Sequence, residues 1–174
     1  MSALDVGLVL VAGALAAALA VSLMRHLRRP VERLPVRPDA HRILVPFSGV
    51  LDPTVLDAAI RIARAEEAVL VPAYLLLVPL QYAEDSPLRD QVAVAMPLLE
   101  AVERAALEAG VPVDARIEKG RTLTHALRRL WEAEPFYRII APAPGSGHRG
   151  FTEKDLAWLL THAPAETLVL KPAP

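Results

Sequence analysis

The chain has 174 residues, no cysteine and a formal net charge of −1. Without cysteine it can form no disulfide and no thiolate metal site. From His41 onward it carries 14 Lys and Arg against 17 Asp and Glu, a mildly acidic balance that argues against nucleic-acid binding.

The first predicted element is an uncharged segment of nineteen residues, 6–24. As a helix it would be about 28 Å long, which matches the hydrocarbon core of a bilayer. Only Asp5 precedes it with a charge, whereas five arginines follow it before Ala40. Because positively charged flanks stay in the cytoplasm, we predict a single-pass anchor in the inner (cytoplasmic) membrane with its C-terminal side cytoplasmic.

A cleaved signal peptide is the alternative interpretation, because residues 18–20 form an A-x-A cleavage site. A signal peptide needs a basic N-terminal flank, which this segment lacks. We therefore divide the chain into an anchor (1–24), a basic linker (25–40) and one domain (41–174). Within the anchor, Gly13 and Ala17 lie one helical turn apart, and such small residues allow another membrane helix to pack closely.

The rest of the chain alternates short apolar runs with helical patterns. The apolar runs predict strands at 42–47, 69–78, 111–119, 137–141 and 167–170. Helical spacing predicts helices at 53–67, 86–110, 122–132 and 153–161, with Asp52 and Ser86 as the N-caps of the first two. This order indicates an α/β fold with a five-stranded, doubly wound parallel sheet, which binds ligands beyond the carboxyl ends of its strands.

Several segments resemble the universal stress protein domain over residues 41–172. They are RILVPFSG near the start, EAGVPVDARIEKG in the middle, then YRIIAPAPGSGHRG, and THAPAETLVL at the end. The resemblance implies a five-stranded parallel sheet that is often paired into dimers through its last strand. One branch of that family binds ATP, through a glycine-rich loop after the fourth strand and a Gly-Ser or Gly-Thr pair at the next helix.

The resemblance also implies that the ATP-binding motif is degenerate here. The Gly-Ser pair falls on Glu153 and Lys154, and the acidic residue usual after the first strand falls on Ser48. The candidates left to contact ATP or AMP are four residues of one loop: Gly145, Ser146, Gly147 and Gly150. Glycines there would let backbone N–H groups approach phosphates. We expect no tight ATP binding and no resident cofactor.

Other interpretations of this loop stay open. Residues 145–150 also spell G-x-G-x-x-G, but this motif follows the fourth strand rather than the first strand of a βαβ unit, which argues against dinucleotide binding. A plain surface loop and a modest anion site of Ser146, His148 and Arg149 remain. The five histidines have no metal-ligand spacing. No nucleophile, base and orienting group stand together, so we expect neither a metal nor an enzyme. Trp131 and Trp158 are expected in the core or an interface.

Three functions compete at this point. The first is a non-catalytic accessory or regulatory subunit docked on the cytoplasmic face of a membrane protein complex, with an integral membrane protein, such as a transporter, as partner. The second is a nucleotide-binding stress regulator, and the third is a membrane-tethered homodimer with a stress role. Tightly bound membrane partners would separate the first from the third.

Overall fold

A computed structural model describes residues 40–144 and 150–171. Within them the strands are β1 (Arg42–Phe47), β2 (Val69–Leu77), β3 (Arg116–Gly120), β4 (Arg138–Pro142) and β5 (Glu166–Leu170). The helices are α1 (Pro53–Ala65), α2 (Arg89–Glu108), α3 (Leu123–Ala133) and α4 (Glu153–His162). All strand pairs are parallel, in the order β3-β2-β1-β4-β5. The predicted α/β fold with a five-stranded parallel sheet is confirmed.

The described part of the chain contains no helix that is long and apolar enough to cross a bilayer. The predicted span, residues 6–24, lies outside the described residues. Gly13 and Ala17 lie outside them too, as does nearly all of the linker. The membrane anchor therefore stays a prediction.

The central strand β1 separates two apolar cores because successive side chains of a strand point to opposite faces. Ile43 and Val45 pack with α1 and α2 on one face. Leu44 packs with α3 and α4 on the other. Five of the six β1 residues are buried, which is why this strand reads as an unbroken apolar run.

The two predicted N-caps had different outcomes. Asp52 caps α1, and its carboxylate accepts a hydrogen bond from the N–H of Thr54 at 2.8 Å. The prediction for Ser86 was wrong: α2 begins at Arg89, after Leu88 in the left-handed region (φ 40°), with no side-chain cap. The backbone oxygen of Ser86 instead accepts a hydrogen bond from Lys119 Nζ at 2.6 Å, which holds Ser86 in the preceding loop.

Strand β3 is shorter than the predicted 111–119 because its first half pairs with the sheet at only one point. Val113 forms an isolated bridge to Leu70. The Asp114 side chain then accepts hydrogen bonds from Arg42 and, at 2.8 Å, from Arg116. Burial alone would raise the pKa of Asp114, but the hydrogen bonds and charges of the two arginines outweigh it and hold that pKa below its usual value. Regular pairing resumes at Arg116.

Ion pairs join the amino ends of four strands at this edge of the sheet. Glu134, which caps the C-terminus of α3, lies 2.9 Å from Arg116 and 3.2 Å from Arg42. On the other side, Arg138 at the start of β4 pairs with Glu66 and, at 2.6 Å, with Glu166. The charged side chains nearest the starts of these strands are thus paired with each other, so we assign them a structural role.

Candidate functional site

The carboxyl ends of β1 and β4 form the point where the strand order reverses. Strands β1 and β4 are neighbours in the sheet. From β1 the chain continues to β2 on one side, and from β4 to β5 on the other. A crevice opens at such a point in doubly wound sheets and is the usual ligand site. The loops that follow β1 and β4 are therefore the candidate site.

The β1 side of this site carries no carboxylate directly after the strand. Ser48 follows Phe47 and is partly exposed. Gly49 has φ 85°, a backbone conformation that is strained for residues with a side chain but not for glycine. The chain turns there. Val50 beyond it is 81% exposed. This side offers an apolar surface and one hydroxyl to a ligand.

The β4 side contains the predicted loop. Gly145, Ser146 and Gly147 lie outside the described residues, as do His148 and Arg149. Gly150 is described, and a Cβ added to it would meet no atom within 4 Å. Glycine is therefore not required at position 150 by a close contact with the described protein.

The N-terminus of α4 is the position where the resemblance places a phosphate. The Thr152 hydroxyl accepts a hydrogen bond from the N–H of Asp155 at 3.2 Å, and the Asp155 carboxylate accepts one from the N–H of Thr152 at 3.0 Å. This capping box uses two of the N–H groups that would otherwise be free to bind an anion. Glu153 and Asp155 also place two carboxylates in the first turn, where the helix dipole stabilises negative charge. A phosphate placed there would be repelled by the two carboxylates and would find two of the backbone N–H donors already bonded.

Arg121, which follows β3, is a cation at the carboxyl edge of the sheet, and its guanidinium already has protein partners. Its guanidinium donates to the backbone oxygens of Pro79 at 2.7 Å and Tyr82 at 2.9 Å. It also lies 3.4 Å from the Glu84 carboxylate. These contacts fix the loop after β2, and they leave this arginine committed to carbonyl and carboxylate groups rather than to a phosphate. No local sequence pattern marks Arg121 as a site residue.

A cleft of about 560 Å³ lies along the edge strand β3 rather than at the candidate site. Its walls carry both signs of charge, with Glu118 paired to Arg129 at 2.9 Å. Strand β2 separates β3 from β1, so this cleft is not the crevice at the strand reversal. Among the described residues, no group of three or more His, Cys, Asp and Glu is arranged to hold a metal.

The two tryptophans lie where α3 meets α4. Trp131 and Trp158 stack with ring centroids 5.5 Å apart, and His162 stacks on Trp158 at 4.8 Å. The His162 ring nitrogen Nδ1 is 2.8 Å from the backbone oxygen of Trp158. The expectation that these tryptophans belong to a packing contact agrees with this arrangement, and His162 takes a packing role in it.

Comparisons with known proteins identify the fold. No family model matches the sequence, and no curated protein matches it significantly. Among solved structures, a protein of the universal stress protein family from Burkholderia pseudomallei is 21% identical, with a TM-score of 0.56. The match covers 79% of this chain and 100% of that one.

Two further solved structures contain nucleotides. A universal stress protein family protein from Arabidopsis thaliana, with AMP bound, is 16% identical with a TM-score of 0.58, covering 76% of this chain and 92% of its own. The universal stress protein from Archaeoglobus fulgidus, in complex with dAMP, is 12% identical with a TM-score of 0.58, covering 74% and 96%. The described domain thus has the fold of universal stress proteins, and the resemblance seen in the sequence is confirmed at the level of the fold.

Proposed function

We propose that this protein is a membrane-anchored, non-catalytic accessory or regulatory subunit whose universal-stress-protein domain docks on the cytoplasmic face of a membrane protein complex. The observation that carries the proposal is the closed N-terminus of α4. Its first turn is capped by its own Thr152 and Asp155, beside Glu153. A domain that keeps the fold but fills the phosphate position with its own groups acts through protein contacts.

The membrane part of the proposal comes from the sequence. The uncharged segment 6–24 followed by five arginines is the pattern of an anchor with a cytoplasmic C-terminal side. A single apolar helix forms no transport path by itself, so an integral membrane protein is the partner that fits. Purification of the full-length chain in mild detergent, followed by mass spectrometry, should recover such a protein in fixed stoichiometry.

Calorimetry tests the nucleotide part. We expect no measurable heat when ATP or AMP is titrated into the full-length chain in detergent. A micromolar dissociation constant, about −8 kcal/mol, would contradict the proposal. The double variant Glu153→Gln with Asp155→Asn removes both charges while Asn keeps an acceptor for the cap. It should show measurable ATP binding where the natural chain shows no heat, whereas Glu132→Gln, an exposed change on α3, should behave like the natural chain.

A nucleotide-binding stress regulator is the second candidate, favoured by the AMP and dAMP named for two structures of the same fold. In this chain, such a ligand would be held through its base and sugar at the apolar β1 side, near Val50. Adenosine would then bind at least as tightly as AMP, because the carboxylates in the first turn of α4 disfavour the phosphate. If AMP bound clearly more tightly than adenosine, its phosphate would occupy a favourable site. The proposal that the capped N-terminus of α4 disfavours a phosphate would then be wrong.

A further inference from the structure

A cavity of about 260 Å³ opens at the amino edge of the sheet, opposite the candidate ligand site. It lies between the carboxyl ends of α1 and α2 and the start of β2. Its wall is mainly apolar, with Ala40, Ala63 and Val111 among the lining residues. Arg64 and Glu67 supply its charged side chains.

Both helices end at this cavity in the same way. After α1, the N–H of Ala68 donates to the oxygen of Ala63 at 2.9 Å, and after α2 the N–H of Val111 donates to that of Ala106 at 2.9 Å. Each is a Schellman motif, which places one residue in the left-handed region. In α2 that residue is Gly110 (φ 75°).

In α1 the left-handed residue is Glu67, with φ 50°. A glutamate is unusual there, because a side chain strains this conformation where glycine does not. The carboxyl end of a helix carries partial negative charge. Two such ends, the Glu67 carboxylate and the Arg64 guanidinium therefore meet at one cavity. An apolar chain whose cation reaches Glu67 fits this combination.

The chain itself supplies such a group next to the cavity. Ala40 is the first described residue and lines the cavity, so the preceding segment joins the domain at this wall. Residues 34–39 read LPVRPD, with Arg37 three positions before Ala40. Three extended residues reach about 10 Å, and Arg37 precedes a proline, which favours an extended backbone. Leu34 and Val36 match the apolar wall, and the arginine matches the Glu67 carboxylate.

We propose that residues 34–39 dock in this cavity, with the Arg37 guanidinium paired to the Glu67 carboxylate. The inference goes beyond the proposed function, because it requires neither a membrane span at 6–24 nor a particular ligand. Docking at the amino edge holds the linker on the side of the sheet away from the loops after β1 and β4. Those loops then remain free for a partner or ligand.

A disulfide trap tests this docking, because the natural chain has no cysteine. In the full-length chain, Val36→Cys is combined with Pro112→Cys, at a position that lines the cavity, or with Tyr137→Cys as the matched control, so that both partners of the proposed ion pair stay in place. Tyr137 is 46% exposed, and its ring stacks on His41 with centroids 4.2 Å apart, so it lies beside the chain entry but is not among the residues that line the cavity. Because docking raises the local concentration of one thiol at the other, the Pro112 pair should oxidise at least about tenfold faster on a non-reducing gel.

Equal rates for the two pairs, or a faster Tyr137 pair, would overturn the proposal. Disulfides formed mainly between chains would also overturn it, because they would make a second copy the occupant. A second measurement, which needs no cysteine, follows how fast trypsin cleaves after Arg33, since docking of residues 34–39 should protect that bond. Glu67→Lys should speed this cleavage at least about threefold by repelling Arg37, whereas the exposed α3 variant Glu132→Lys should leave it unchanged. Identical cleavage of both folded variants would contradict the pairing.

Discussion

Thr152 and Asp155 exchange hydrogen bonds across the first turn of α4. The N–H of Asp155 donates to the Thr152 hydroxyl at 3.2 Å, and the N–H of Thr152 donates to the Asp155 carboxylate at 3.0 Å. This pair stabilises the helix at the point where relatives of the same fold would receive a phosphate according to the resemblance. The same contact therefore stabilises the helix and occupies two backbone N–H groups at its N-terminus.

Removing the cap should cost stability. We expect Thr152→Ala and Asp155→Ala each to lower the free energy of unfolding by about 1 kcal/mol, the usual effect of losing an N-cap partner. The double variant should lose less than the sum, because both changes break one unit. Urea unfolding measures these values. Thr161→Ala is the control: its hydroxyl bonds only to the backbone oxygen of Ala157 in the last turn of α4, so it should cost little. Additive losses would contradict the capping box.

Gly120 should tolerate no side chain, in contrast to Gly150. A Cβ on Gly120 would lie 2.6 Å from the backbone nitrogen of Ala126, where α3 passes the end of β3. Because the α3 backbone can move away only by disturbing the packing of the helix, Gly120→Ala should destabilise the protein by about 1–3 kcal/mol. Gly150→Ala meets open space and should change stability by less than about 0.5 kcal/mol. Equal unfolding midpoints for the two variants would show that α3 can move away.

Asp114 should make stability depend on pH in the acid range. Its pKa is lower in the folded protein than the ordinary 3.8, so the folded state binds fewer protons. Its contribution is complete above pH 3.8 and is lost as the pH falls through the folded value. We expect Asp114→Asn to be less stable at pH 7 and to lose less stability than the natural chain below pH 3.8. Unfolding curves at several pH values measure this, with the exposed Asp57→Asn as control. Parallel pH profiles for Asp114→Asn and the natural chain would contradict the assignment.

The bounds of a strand could be predicted from the sequence where the strand is an unbroken apolar run. β1 was predicted to the residue, since it is buried on both faces. β3 was overestimated because Asp114 turns to pair with Arg42, 72 positions earlier, and such a long-range pair leaves no local pattern. The start of α2 was missed for the same reason, since the contact that holds Ser86 comes from Lys119.

The candidate site was predictable only in part. The unfavourable position of Glu153 followed from the resemblance. Asp155 had a local signal, Thr-x-x-Asp before an apolar run, but it was not among the predicted site residues. The clamp of Arg121 on Pro79 joins residues 42 positions apart, and no sequence pattern announces it.

The basic linker predicts the orientation of the chain. If five arginines after residue 24 hold that side in the cytoplasm, an added protease should leave the C-terminal domain intact in whole cells and digest it once cells are opened. A tag placed after Pro174 reports the digestion on a blot. Moving the charge, by replacing Arg25, Arg28 and Arg29 with Ala and adding three arginines before Val6, should expose the tag in part. Digestion of the natural chain from outside would contradict the predicted topology.

The small residues of the predicted anchor should form the contact with a membrane partner. Gly13 and Ala17 lie one turn apart, and helices approach closely only where such residues face each other. We expect Gly13→Leu with Ala17→Leu to reduce recovery of the partner from mild detergent at least about threefold. As the control, Leu8→Ile with Leu15→Ile keeps the apolar length on the opposite side of the predicted helix and should leave recovery unchanged. Each contact between the helices is small, so the loss depends on separation along the whole strip. Unchanged recovery after the Gly13 and Ala17 replacements would exclude this face, and a chain that purifies only as a homodimer would exclude the accessory-subunit proposal.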